Sequence, residues 1–289
     1  MSADVGTLFR DLHRPGDPFV LANAWDRGSA RMLVALGAPA VATSSAAHAF
    51  VMGRPDGGNV TRDEALAHAS DLAAAVNVPV SGDFENGFAD DPDAVAETVR
   101  LAAEAGLAGI SIEDIRFPEG APYEGELATE RIRAAAAAAR ALPGDFVLVA
   151  RADGVMTGGY GMQEAIDRIR AFDAAGADCL YVPMPPGMAS LKKVVAATAK
   201  PVNALAAGRF ARETRADFAV AGIARISLGS ALARLTHRAI DDAARAIFGA
   251  GDFSPLTLGM SGGEVDKLLD SGSGASGESG PNVRPEADA

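Results

Sequence analysis

A (β/α)8 barrel is the fold this sequence predicts, and three observations predict it. Eight short apolar runs recur along the chain, helix-length amphipathic segments separate them, and polar residues collect just after the runs. Strands buried on both faces of a parallel sheet read as near-continuous apolar runs, and regular alternation with helices is the pattern of α/β folds. The 289 residues, 48% of them hydrophobic, suffice for a substantial core, and barrels of this kind run to about 250 residues as one domain. Pattern alone leaves closure open, so a doubly wound open sheet is the second architecture.

The strands are expected at 18–24, 40–44, 79–84, 109–114, 146–152, 179–183, 201–205 and 224–229. Segments 61–76, 92–105, 126–141 and 162–175 have helical length and apolar spacing, and an eighth helix is expected at 230–248. Gly37, Gly106 and Gly176 follow apolar-periodic runs, where a left-handed cap favours glycine. Asp91-Pro92 reads as an N-cap with proline in the first helical position. The barrel is therefore assigned to residues 1–250 and a short helical extension to 251–270. The tail at 271–289, SGSGASGESGPNVRPEADA, has too little apolar surface to offset its ordering entropy and reads as disordered.

The formal charge of −12 argues against generic binding to nucleic acid or anionic membranes. It leaves open a small anionic substrate, because a local arginine or metal can reverse the field inside one pocket. No apolar run approaches the roughly 18 residues of a membrane span, and the N-terminus lacks a signal peptide's apolar centre. The single Cys179 rules out an intrachain disulfide and reads as a small buried hydrophobe. A cytoplasmic protein is the expectation.

In a parallel barrel the C-terminal strand ends face the active-site mouth. Asp83 and Glu85 follow the third run, Glu113 and Asp114 the fourth, Arg151 and Asp153 the fifth, and Ser44 and Ser45 the second, with His48 and Asp56 beyond them. In extended backbone Asp83 and Glu85 point to one side, and Glu113 approaches from the next strand. Carboxylates crowded together raise one another's pKa unless a cation compensates. A hard divalent ion such as Mg²⁺ suits such oxygen ligands, and Mn²⁺ does so nearly as well. The alternatives are a turn cap for Asp83 or Glu85 and an arginine partner for Glu113. Arg151 needs a carboxylate, whether from a ligand or from Asp153 or Glu113. Ser44 and Ser45 offer hydroxyls and backbone N–H groups to a carboxylate or phosphonate. His13, His68 and His237 lack metal-like spacing, and the glycine-rich TGGYG at 157–161 reads as loop flexibility.

At these residues the sequence resembles the isocitrate lyase and phosphoenolpyruvate mutase superfamily. DFENGFADDPDAVAETVRLAAEAGLAGISIED, VLVARADG, EAIDRIRAFDAAGADCLYVP and ARISLGSALAR follow one another in the family's order, and VATSSAAHAFVMGRPDG matches its second-strand region. The resemblance covers most of residues 15–245. It implies metal-site acids at Asp83, Glu85 and Glu113, a substrate carboxylate at Ser44 and Ser45, an active-site acid at Asp56 and a substrate-binding arginine at Arg151. It also implies a barrel whose C-terminal helix is often exchanged between subunits of a tetramer, a role open to residues 252–270.

The chain departs from the family in the loop after the fourth strand. IRFPEGAPYEGELATE has no Cys, His or Lys, where family lyases carry a K-[KR]-C-G-H loop. The Lys and Asn of phosphonate-processing members fall near Glu119 and Ala121, and the family His of strand six is Pro183. Tyr123, Glu119 and Glu124 are the proton-handling groups left in this loop, with Tyr123 the first candidate. The resemblance thus implies a Mg²⁺-dependent lyase of a small 2-oxo or 2-hydroxy acid, acting as a homo-oligomer, dimer or tetramer. A phosphonopyruvate-type P–C hydrolase and a non-catalytic oxo-acid-binding barrel are the alternatives.

Overall fold

Each expected apolar run forms a parallel strand in the computed structural model, which describes residues 4–273. The strands are β1 Phe19–Asn23, β2 Val41–Ala42, β3 Val80–Asp83, β4 Gly109–Glu113, β5 Val147–Arg151, β6 Cys179–Tyr181, β7 Val202–Leu205 and β8 Arg225–Ser227. β1 pairs with both β2 and β8, so the sheet closes into a barrel and the open-sheet alternative is excluded. Register sets the polar ends side by side: Asp83 pairs with Ser111, Glu113 with Arg151, and Arg151 with Tyr181.

The intervening helices form where caps and apolar spacing agree. Asp91 accepts hydrogen bonds from the backbone N–H of Asp93 and Ala94, Pro92 opens the helix Pro92–Glu104, and Val95, Thr98, Val99 and Ala102 are buried along its inner face. Thr61 and Glu64 cap the helix Arg62–Ala73 reciprocally. The expected cap glycines Gly37, Gly106 and Gly176 all have positive φ, at 100°, 88° and 104°.

Two elements escape the sequence pattern. A seven-residue helix, Val5–Asp11, carries the fully buried Phe9 under the N-terminal end of the barrel beside Phe19 and Leu21. The loop after β4 pairs Ile115–Arg116 with Ala121–Pro122 as a minimal antiparallel hairpin. At the other end of the chain, Ala231–Ala250 is a single long helix. It is followed by a 3₁₀ turn at Ser254–Leu258 and a helix at Gly262–Ser271 that packs on Arg27–Ala35 of the same chain. The disordered tail expected at 271–289 lies outside the described residues apart from its first three positions, where Ser271 ends the last helix. No helix among the described residues is long and apolar enough to cross a membrane.

Candidate active site

A cavity of about 300 Å³ opens at the C-terminal mouth of the barrel, bordered by Ser44, Ser45, Asp56, Asp83, Glu85, Glu113 and Arg151. Seven of the eight sequence-derived candidates therefore meet in one place. β3 ends at Asp83, whose backbone N–H donates to Thr43 Oγ1 at 2.8 Å. Its carboxylate is hydrogen-bonded at both oxygens: Oδ2 accepts from Ser45 N–H (3.0 Å) and Ser45 Oγ (2.9 Å), and Oδ1 accepts from Ser111 Oγ (3.3 Å) and Arg151 Nη1 (2.9 Å).

Glu85 reaches the cavity by a different route from the one expected. The strand stops at Asp83, and Glu85 stands in a turn at φ 45°, followed by Phe88 at φ 58°. Non-glycine residues enter that left-handed region only when their surroundings impose it. Here the buried Arg131 donates to the carbonyls of Asn86 and Ala89, and Glu113 N–H donates to Glu85 O at 2.7 Å. Strand alternation therefore does not align Asp83 with Glu85; a pinned turn does. Glu85 Oε1 accepts from Gly58 N–H at 3.1 Å, which ties the turn to the loop carrying Asp56.

Arg151 is the hub of the charge arrangement. Nη1 lies 2.9 Å from Asp83 Oδ1 and 3.0 Å from Glu113 Oε1, while Nη2 and Nε donate to Asp153 at 2.7 and 3.2 Å. Its guanidinium lies over the Tyr181 ring, 5.2 Å from the centroid. A planar fork held on several sides cannot turn, so its charge is fixed in place. One guanidinium does not neutralise the acids around it. Burial, with Asp83 nearby, pushes Glu85 up to about 7. Burial raises Glu113 well above the ordinary carboxylate range despite Arg151, and burial and Asp83 raise Asp56 at the rim.

Asp153, which holds Arg151, is itself held from behind. Asp114, buried behind β4, accepts from Asp153 N–H (2.8 Å), Tyr160 Oη (2.6 Å) and Arg168 Nη1 (3.1 Å). The 157–161 stretch is thus more than a flexible loop, because Tyr160 anchors it. Cys179 is fully buried, as expected, and burial pushes its thiol up to about 11. His48 lies behind the serines, stacked on His68 with ring centroids 3.8 Å apart, and burial lowers it to about 4.

Two expectations about individual groups need correction. Tyr123 is not at the cavity: it is 1% exposed, its hydroxyl donates to Asp90 Oδ1 at 2.5 Å, and Arg131 stacks on its ring. Its place in sequence beside the mouth hid the fact that the hairpin turns it into the wall. The phenol that borders the cavity is Tyr181, which strand register with Arg151 could have revealed. The serines are also less free than expected, since Ser45 spends both donors on Asp83 and Ser44 Oγ caps its helix by accepting from Ala47 N–H. Glu119 and Glu124 do not border the cavity, whereas Phe117 and Gly120 of the hairpin do. Sequence reasoning also missed Asn23, Ser111, Arg225 and Ser227, which line its inner wall.

Among the described residues no three His, Cys, Asp or Glu side chains converge as a ready-made ligand set. The acids nonetheless fit a hard cation that keeps part of its water shell. They present carboxylate oxygens only, burial with other acids nearby raises Glu85 and Glu113, and no donor among the described residues reaches Glu85 Oε2.

The phosphoenolpyruvate phosphomutase family profile matches residues 9–248. An uncharacterized Mycobacterium tuberculosis protein is 34% identical over 242 residues, covering 83% of this chain and 88% of its own length. The 2,3-dimethylmalate lyase of Eubacterium barkeri is 33% identical over 183 residues, 61% of this chain and 62% of the relative. Among solved structures, a candidate lyase/mutase from Burkholderia cenocepacia J2315 superposes with a TM-score of 0.87 at 41% identity, covering 91% of this chain and 95% of that one.

Proposed function

Since the chain belongs to the phosphoenolpyruvate phosphomutase family, within the isocitrate lyase/phosphoenolpyruvate mutase superfamily, we propose that it is a Mg²⁺-dependent lyase of a small 2-oxo or 2-hydroxy carboxylic acid. The C–C bond breaks through an enolate, by retro-aldol cleavage or by decarboxylation of an oxaloacetate-like acid. The observation that carries this reading is the meeting of Asp83, Glu85, Glu113 and the locked Arg151 in one cavity.

Asp83, Glu85 and Glu113 are the residues that would hold the metal, in part through water. When bound, Mg²⁺, or Mn²⁺ on the same donors, supplies positive charge and polarises the substrate's oxygens. Arg151 adds a second positive charge at the cavity wall, fixed before the reaction and so effective where negative charge develops. Ser44 and Ser45 shape the side of the cavity that faces the substrate carboxylate. The electron pair of the broken bond stays on one fragment as the enolate, and a proton entering at that carbon completes the product. Tyr181 is placed to return that proton, because burial raises its phenol and keeps it protonated. In the retro-aldol direction Asp56, its pKa raised at the rim, takes the proton from the 2-hydroxy group. The exposed apolar side chains Leu235, Ile240, Phe248 and Leu258 support a homo-oligomer, dimer or tetramer.

The test is a panel of 2-oxo and 2-hydroxy acids assayed with Mg²⁺ for released oxo-acid or CO₂. Glu113→Ala and Arg151→Ala are each expected to lower turnover by about 10²–10³-fold or more, and unchanged activity would overturn the reading. Phosphate released from phosphonopyruvate would indicate P–C cleavage instead. Tight oxalate binding with no turnover would indicate a binding barrel.

A further inference from the structure

Arg131 comes from the helix Gly125–Arg140, is 1% exposed and does not border the cavity. Arg151 and Arg168 meet carboxylates, those of Asp153 and Asp114. Arg131 takes backbone carbonyls instead. Nη1 donates to Glu113 O at 3.4 Å, and Nη2 donates to Asn86 O and, at 2.8 Å, to Ala89 O. Nε is buried without a partner, and the guanidinium lies over the Tyr123 ring, 4.0 Å from the centroid. Burying a cation against dipoles alone costs stability, and an apolar side chain would fill the same space without that cost.

The carbonyls it holds give the arrangement its sense. Glu113 is one acid of the cavity, and Asn86 and Ala89 belong to the turn that begins with another, Glu85. Glu113 N–H donates to Glu85 O at 2.7 Å, so the end of β4 and the turn are joined directly, and joined again through the guanidinium. Glu85 and Phe88 stand at φ 45° and 58°, conformations that persist only when their surroundings impose them. A planar fork with donors in fixed directions, strengthened by its charge, can impose them. The platform beneath it is tied to the same turn: Tyr123 Oη donates to Asp90 Oδ1 and accepts from Asn86 Nδ2 at 2.8 Å.

We propose that Arg131 is a positioning residue for the metal: through the two backbones it sets where Glu85 stands relative to Glu113, and so sets metal affinity, while touching neither metal nor substrate. This rests on the metal assignment above and deepens it. A ligand carboxylate is only as well placed as the groups that hold it from behind, and loss of such a group costs about 10- to 100-fold in metal affinity.

Mn²⁺ alone is the probe, with no substrate present. Its binding to the full chain is read from the loss of the free-ion electron paramagnetic resonance signal, and folding from urea denaturation. Arg131→Lys keeps a cation whose compact head cannot bridge turn and strand together, and should weaken Mn²⁺ by about tenfold. Arg131→Met fills the space without donors and should weaken it by about 100-fold. Asp178→Ala, just before β6 at the opposite end of the barrel, controls for lost stability and should leave Mn²⁺ affinity within about twofold. If Arg131→Met does not fold, Arg131→Lys decides. Wild-type affinity in folded Arg131→Lys, an equal loss in Asp178→Ala, or failure of both Arg131 variants to fold overturns the positioning role and leaves the metal reading standing. No Mn²⁺ binding by the wild type, or binding that survives Glu113→Ala, overturns both.

Discussion

The two ends of the barrel handle charge in opposite ways. At the N-terminal end, Asp178 accepts from Arg10 Nη1 at 2.8 Å, from Arg140 and from Leu148 N–H at 2.9 Å, and Asp145 takes the rest of the Arg10 fork. Burial there is matched by partners: Arg10 holds Asp145 below the usual carboxylate range. At the C-terminal mouth the acids outnumber the cations that touch them, and Glu85 and Glu113 are held up instead. One end is balanced and serves stability. The other is left unbalanced, which is the arrangement the proposed charged ligand would complete.

Asp178→Ala probes the balanced end and should have the largest effect on stability. It leaves two guanidinium groups and a buried N–H without a shared acceptor, so about 3–5 kcal/mol should be lost. Urea denaturation measures this, with kcat and KM unchanged. A change in KM with stability intact would mean that the two ends are not separate.

Glu85→Gln probes the unbalanced end and should act in the opposite direction. An acid whose folded pKa exceeds its unfolded value binds its proton more tightly in the folded state. For Glu85 this interaction helps the fold fully below about 4.5, and the help is lost as pH rises through about 7. In chelator-treated protein Glu85→Gln should therefore gain up to about 3 kcal/mol at pH 8 and nothing at pH 4, while weakening Mg²⁺ binding. A loss of stability at pH 8 would show that the mouth is as well balanced as the floor.

The smallest effect separates two tyrosines. Tyr123→Phe removes hydrogen bonds to Asp90 and Asn86 in the wall, with about 1 kcal/mol lost and kcat preserved. Tyr181→Phe should leave stability nearly unchanged and lower kcat at least about tenfold. Steady-state kinetics on the two variants would reverse the assignment if only Tyr123→Phe slowed turnover.

Much of this arrangement was legible in the residues themselves. The eight apolar runs, the capping at Asp91-Pro92 and the three cap glycines are local signals, written within a few neighbours of where they act. The same is true of the acids after the third and fourth strands, because a strand's C-terminal end in a parallel barrel fixes which face they join. Ser44, Ser45, Asp56, Asp83, Glu85, Glu113 and Arg151 could therefore be gathered before their distances were known.

Only the tertiary structure decided how those groups are used. Closure of the barrel depends on β1 meeting β8, a pairing between segments about two hundred positions apart. Glu85 enters the cavity through a left-handed turn pinned by Arg131, and Ser45 is committed to Asp83 from another strand. Tyr123 lies in the wall while Tyr181 borders the cavity, and Arg225 is a buried cation one of whose nitrogens has no partner among the described residues. Local patterns determine which residues arrive at the mouth, because strand alternation and helix caps are short-range. Partnership between side chains is long-range, so the choice of which donors are satisfied and which remain free for a ligand belongs to the folded barrel.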